Sequence, residues 1–309
     1  MKHQECIEEM PDVIGIGHCA VDFLGLVPYY PSLDEKIRII EFHRQGGGEV
    51  ATALVTLSRL GATTSFIGKI GDDDLGNFIL TEFNKEKVDT SHIVIEKGAS
   101  SLCAFCIIDK VSGKRTIFWY KDMKPLRQEE LDKEFILSAK ILLVDHHEPE
   151  AVIIAAEWFK RVGKTVVLDI DTINPQLERL VKSVDVVIGS EVFARNFAIN
   201  DYFTAAEMVA SLGPRIVVFT LGEKGCLCYS KEDKFIQPAF EINVVDTTGC
   251  GDVFHGAFVY GLLKGWNLRK IATFSNAIAA IKCTKIGGRA GIPSIKEVEE
   301  FLKTAKMRE

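Results

Sequence analysis

The stretch Val244–Phe258, VVDTTGCGDVFHGAF, constrains this chain more than any other. Two β-branched residues and an acid, Asp246, read as the end of a buried strand. Gly249 and Gly251 permit a tight turn, and an apolar-periodic run from Asp252 to Lys264 reads as a helix. A helix entered this way leaves several backbone N–H groups without helical partners at the positive end of its dipole. Glycines let an anion come close to that backbone, so the amides of Gly249, Cys250 and Gly251 form an expected anion hole. Asp252 stands at its rim. A carboxylate in a site built for an anion needs a task, and the fitting one is to take the proton of a hydroxyl that attacks a phosphoryl group. Helix capping alone would account for Asp252, but not for two glycines beside Thr247 and Thr248. Asp252 is expected to keep an ordinary carboxylate pKa near ~3.9 and to accept its proton late in the transfer.

On Asp246, Thr247, Thr248, Gly249, Cys250, Gly251 and Asp252 the chain resembles the ribokinase-like (PfkB) carbohydrate kinases, whose signature has the form D-T-x-G-A-G-D. It departs only in Cys250, where alanine is usual. The resemblance extends over nearly the whole chain. It implies an ATP-dependent kinase that works with Mg²⁺, and K⁺ at a monovalent-cation site built from Asp246 and Thr248 with the loop at Gly287 and Gly288.

At 309 residues the chain can bury a substantial core. Its net charge of −6 argues against a nucleic-acid or anionic-membrane partner. No apolar run approaches the ~20 residues of a membrane span. Residues 1–11 read as a polar tail without the apolar segment of a signal peptide. The eight cysteines are scattered through apolar or glycine-rich segments, as free thiols in a reducing cytoplasm would be. Cys103 and Cys106 alternate onto opposite faces of a strand, which excludes a zinc knuckle.

Strand and helix patterns alternate along the chain: VIGIG (13–17), a helix from Glu49 to Leu60 stopped by Gly61, TSFIGKIG, DDDLGNFILTEFNKE, ILLVD, PEAVIIAAEWFKRVG, TVVLDID, a short helix, VDVVIGS, a helix near 203–212, RIVVFTLG and CLCYS. This order predicts one α/β domain over 1–309, with a doubly wound, mostly parallel sheet and helices on both faces. Two stretches break the alternation, about 22–45 and the hairpin 101–121 around KVSGK. Together they predict a small β-sheet, which in the family forms a lid over the sugar site and in many members a dimer contact. RVGKT (161–165) lacks the first glycine of a phosphate-binding loop and runs from helix to strand. GIG at 15–17 opens no dinucleotide fingerprint.

Asp22, just past the first strand, could accept hydrogen bonds from two vicinal hydroxyls, and the matching family Asp binds the sugar. Gly47 and Gly48 match the paired glycines on the sugar side. Thr52 falls where many members carry a sugar-binding Asn, so hydroxyl recognition must differ. Thr220, Gly222 and Gly225 match a T-x-G-x-x-G loop along the nucleotide phosphates, and Asn276 a position near adenine. The family's N-x-x-E element falls at Ser190–Phe193, with Ser190 for Asn and Phe193 for Glu; Glu191 is the stand-in for magnesium handling. His146 ends a strand beside His147 and is expected to line the substrate pocket rather than bind a metal. His255, three residues after Asp252, reads either as a packed helix histidine or as a group that tunes Asp252. Lys36, with Arg38, His43 and Arg44, reads either as a solvated edge or as a clamp for an anionic substituent. QGGGEVATA, the Val244–Phe258 stretch and KCTKIGGRAGIP look closest to the sulfofructose kinase branch.

These residues predict a cytoplasmic kinase that phosphorylates a primary hydroxyl of a sugar or anionic sugar derivative. The alternatives are a kinase for a nucleoside or other non-sugar alcohol, and a non-catalytic sugar sensor. A homodimer through the lid is the expected assembly.

Overall fold

The computed structural model describes residues 10–173, 175–199 and 201–308; most of the polar tail, with Cys6, lies outside them. Short runs of Val, Ile and Leu supply the strands, and their neighbours in the chain are amphipathic helices, as a buried parallel sheet requires. The chain opens with β1 (Val13–Ile16), β2 (Ala20–Val27), β3 (Glu41–Gly47), α1 (Glu49–Arg59), β4 (Thr64–Ile67) and β5 (Lys69–Gly71). There follow α2 (Asp74–Lys85), β6 (Val88–Asp89), β7 (Val94–Glu96), β8 (Cys103–Asp109), β9 (Arg115–Tyr120) and α3 (Lys133–Ser138). The second half contains β10 (Ile141–Asp145), α4 (Pro149–Arg161), β11 (Thr165–Ile170), α5 (Leu177–Lys182), β12 (Val186–Ser190), α6 (Glu191–Arg195), α7 (Tyr202–Ser211) and β13 (Ile216–Thr220). It ends with β14 (Cys226–Ser230), β15 (Lys234–Gln237), α8 (Cys250–Leu263), α9 (Leu268–Lys282) and α10 (Ile295–Thr304).

Nine strands form one sheet in the order β15-β14-β13-β12-β11-β10-β1-β4-β6. Every pair from β6 to β13 is parallel, and β14 and β15 close one edge antiparallel. One face of this sheet packs on α1, α8 and α9, the other on α4, α5 and α7, giving two apolar layers. The residues that leave the C-terminal ends of β1, β10, β11, β12 and β13 therefore emerge along one edge, where ligands dock in open α/β sheets.

The two stretches that break the alternation do form a separate four-stranded sheet, β3-β2-β8-β9, with β2 and β8 parallel and both outer pairs antiparallel. It spans slightly more than expected, from Ala20 to Gly47 in its first half. Asp22 consequently lies within β2, not just past β1. Alternation along β8 leaves Cys106 buried and Cys103 half-exposed on the opposite face. Two features were not expected: β5 pairs with β7 as a small sheet of its own, and α10 starts at a capping box of Ser294 and Glu297.

One expectation fails outright. No strand precedes α8. Residues 241–248 are irregular, and Val244 and Val245 are exposed. The N–H groups of Val245 and Asp246 point at the carbonyl of Cys283, just past α9, so this segment is held by a helix end instead of a strand partner.

Candidate active site

The turn before α8 is organised by Asp246, which is fully buried. Its Oδ1 accepts from the N–H and the hydroxyl of Thr248, at 2.8 and 2.7 Å, and Oδ2 from the N–H of Gly287 at 2.7 Å. Both carboxylate oxygens are thus spent on binding two loops together. The carbonyl of Asp246 accepts from the ammonium of Lys282, itself fully buried, at 3.0 Å. A fixed cation thus holds the main chain of the turn at which a monovalent ion was expected.

Gly249 sits in the left-handed region at φ 72, and a Cβ there would lie 2.6 Å from the Cα of Gly288. Only glycine fits, because the two loops touch backbone to backbone. α8 then begins at Cys250, two residues earlier than its apolar pattern suggests, and Asp252 lies in its first turn. Among the described residues the N–H groups of Gly249 and Gly251 are free, whereas that of Cys250 turns back to the carbonyl of Thr247 at 3.3 Å. Of the three amides expected to form an anion hole, those of Gly249 and Gly251 are unpaired and that of Cys250 is committed to the turn.

Asp252 departs furthest from expectation. Burial pushes its carboxyl well above the ordinary range; Asp169, Glu49 and Asp22 push the same way, and Arg115 opposes them. Asp169, Asp252 and His255 place donor atoms within 4.8 Å of one another. At such a distance two carboxylates repel by about 3 kcal/mol for an effective dielectric near 20, so the pair needs a neighbouring cation to ionise together. His255 is buried, as a packed helix histidine would be, and its Nδ1 lies 2.8 Å from Oδ2 of Asp169.

On the opposite wall, a Cβ on Gly47 would lie 2.2 Å from the carboxylate of Asp22, so the glycine is what lets Asp22 lie against this backbone. Burial pushes Asp22 up to about 6, Glu49 adds to the rise and Arg289 opposes it. Gly48, at φ 92, precedes Glu49, the first residue of α1. Thr52 is buried, and its hydroxyl accepts from Nε of Arg289 at 3.3 Å. Arg289, also buried, donates in addition to the carbonyl of Gly47 at 3.0 Å.

Next to Glu49 stands a stack of imidazoles. His147 lies parallel to His18, ring centres 4.1 Å apart, and His146 tilts against His147 at the same distance. Oε1 of Glu49 is 2.9 Å from Nε2 of His147. Burial opposes both charges, but each stabilises the other: His147 is raised to about 9 and Glu49 held down at about 2. His146 is buried, its Nε2 3.1 Å from the Thr172 hydroxyl and its Nδ1 without a partner among the described residues. Its place behind His147 makes it a support for the wall. Asp145, at the end of β10, accepts from the N–H groups of His18 and His147 and ties the stack to the sheet edge.

Ser190 and Thr220 are paired neighbours at the ends of β12 and β13. Gly222, at φ 59, and Gly225, at φ 95, shape the loop that follows. The Ser190 hydroxyl caps α6 by accepting from the N–H of Phe193. Glu191 does not fit as a magnesium ligand: its Oε1 is held by the Tyr202 hydroxyl and by Arg195, with Lys224 close by. Asn276 is buried, and its amide donates to the carbonyls of Gln237 and Pro238, so it orders that loop. Lys36 is exposed on the connection between β2 and β3; Arg44 lies over the ring of Phe78, and His43 is 3.5 Å from Glu41.

Sequence reasoning missed Glu49, Asp169, Arg115, Lys282 and Arg289 as parts of the site. Two had a usable signal, since Glu49 directly follows the paired glycines and Arg289 directly follows Gly287 and Gly288.

A model of the pfkB family of carbohydrate kinases matches residues 10–295. The chain belongs to that family. It is 28% identical to a 5-dehydro-2-deoxygluconokinase of Geobacillus thermodenitrificans, over 97% of this chain and 95% of the relative. It is 30% identical to a protein of Arabidopsis thaliana described as probable fructokinase-2, over 94% and 95%. A crystal structure of ribokinase from Thermotoga maritima superposes with a TM-score of 0.82 at 28% identity, covering 95% of this chain and 100% of that one. The protein is a carbohydrate phosphotransferase with the ribokinase-like fold.

The wall behind the stack depends on Glu148, 4% exposed, whose carboxylate accepts from Lys121 and from the N–H of Leu126. Burial would raise it, but His18, Lys121 and that N–H hold it at about 2, against 4.5 for the free group. Its stabilising effect is complete above pH 4.5 and lost as the pH falls toward 2. Glu148→Gln is expected to lower the urea midpoint at pH 7, and the difference from the unaltered protein shrinks when unfolding is repeated at successively lower pH below 4.5.

Proposed function

We propose that the protein transfers the γ-phosphoryl group of ATP to a primary hydroxyl of a sugar or anionic sugar derivative. The observation that carries this reading is the Asp252 carboxylate, raised by its surroundings, on the first turn of a helix whose Gly249 and Gly251 amides are free. Asp252 takes the acceptor's hydroxyl proton as that oxygen bonds to the γ-phosphorus, and the bond from phosphorus to the β-phosphate oxygen breaks to release ADP. The free amides meet the charge on the moving phosphoryl. Asp22, Gly47 and the imidazole wall orient the sugar, and the loop from Thr220 to Gly225 beside Ser190 takes the nucleotide phosphates. Magnesium arrives with the nucleotide, and no side chain is assigned to it. The small sheet serves as the lid, with Lys36 on its exposed connection as the contact for an anionic substituent. A cytoplasmic setting suits the free thiols.

ADP release from Mg·ATP, measured across ribose, fructose, 5-dehydro-2-deoxygluconate and adenosine, is expected to single out a sugar. Asp252→Asn lowers kcat by ~10²-fold or more with ATP affinity nearly intact. Equal loss of both would make Asp252 structural, and turnover on adenosine alone would replace the sugar by a nucleoside.

Lys282 supplies the positive charge behind Asp246, so adding KCl in place of a tetramethylammonium salt is expected to change kcat less than about twofold; a strong rise would place a cation at the turn after all. Lys282→Met, which leaves the buried carbonyl of Asp246 without its donor, is expected to cost about 1–3 kcal/mol in urea unfolding; an unchanged midpoint would show that the ammonium does not hold the turn.

The outer face of the lid exposes Phe42 and Phe105 flanking Phe23, in a stack with centroids 6.3 and 5.1 Å from it, and Phe118 beside them. We assign this patch to a second copy of the chain. Sedimentation should show a dimer that Phe42→Glu dissociates, while a monomer for the unaltered chain would refute the pairing.

A further inference from the structure

Asp169 and His255 stand beside the base and have no part in the reaction as described above. They come from β11 and α8 and are 6% and 5% exposed. His255 Nδ1 and Asp169 Oδ2 are 2.8 Å apart, yet neither ring nitrogen of His255 nor that carboxylate oxygen has an aligned hydrogen bond among the described residues. Buried polar atoms are rarely left this way without a reason. His255 is one helical turn from Asp252, so both side chains lie on one face of α8. The groups around the three are overwhelmingly acidic: Glu49 from α1, Asp145 from β10 and Asp22 from β2, with Arg115 from β9 as the opposing cation. Arg115 is exposed and also donates to the Thr247 hydroxyl at 3.2 Å, so it is shared with the turn.

We propose that His255 is a positioning residue for the base: protonated on both ring nitrogens, it bridges Asp169 and Asp252, aims the Asp252 carboxylate at the acceptor hydroxyl and keeps it ionised. The inference rests on the reading of Asp252 as that base. An imidazolium offers two donors, one for each carboxylate. When Asp252 takes the substrate's proton, the remaining charges on His255 and Asp169 still cancel, so the buried cluster is left without a net charge at the moment of transfer. A neutral His255 would leave two facing carboxylates sharing a proton, with no second donor to keep the charge on Asp252.

The test begins without substrate. In ¹⁵N-histidine-labelled protein at pH 7.5, with the His255 signals assigned through His255→Gln, both ring nitrogens are expected to be protonated. In ¹³C-aspartate-labelled protein, with Asp252 assigned through Asp252→Asn, its titration should move up by about one unit or more in His255→Gln. On the best acceptor of the panel, the acidic limb of the kcat profile should rise by the same amount, with kcat at neutral pH down ~10-fold and KM for ATP unchanged. A singly protonated His255, or an Asp252 titration unmoved in folded His255→Gln, overturns the proposal. If that variant does not fold, His255→Asn carries the same comparison, since it removes the imidazolium and keeps the carboxylate of Asp169. The spectroscopic readouts need no acceptor, so silence across the panel would bear on the kinase reading alone.

Discussion

The buried carboxylate of Asp246 is the contact on which the site depends. It accepts three hydrogen bonds and joins the turn before α8 to the loop after α9. Hydrogen bonds to a charged acceptor are the strong ones, about 1.5–3 kcal/mol each, and here they fix two segments that have no sheet or helix of their own. Lys282, buried beneath the same turn, ties down the carbonyl of Asp246. Because the two loops are drawn together until Gly249 meets Gly288, the backbone must enter α8 through a left-handed residue, and the first amides of the helix then face outward.

Around this frame the site is a balance of like charges. Asp22 and Asp252 are both raised by burial, while Glu49 is kept fully ionised by His147. The difference has a local cause. Glu49 has an imidazole at 2.9 Å, whereas Asp22 is opposed by an Arg289 whose hydrogen bonds go to Gly47 and Thr52. A substrate hydroxyl that donates to Asp22 would favour its ionised form and so complete what the protein leaves partly neutral.

The fold was legible because strand and helix periods alternate without ambiguity, and the two stretches that broke the alternation proved to be one separate sheet. Boundaries were less legible. Val244 and Val245 look like a strand because they are β-branched, but the N–H groups of Val245 and Asp246 are taken up by the Cys283 carbonyl. β15, β6 and β7 are two to four residues long and give too few repeats to read. In the site, glycines and acids next to turns could be placed by motif. Asp169, Arg115 and Lys282 could not, because they reach the centre from elements distant in sequence. At Thr52 and Asn276 the motif gives no sign of the bonds each makes to another side chain or to a loop.

Arg115 leaves the small sheet at the start of β9 and ends on the hydroxyl of Thr247, inside the turn before α8. The small sheet and the turn that leads to Asp252 therefore share a tether. If the small sheet contacts the acceptor as proposed, a shift of β9 reaches the turn through that side chain, and a change there alters acceptor preference and transfer rate together.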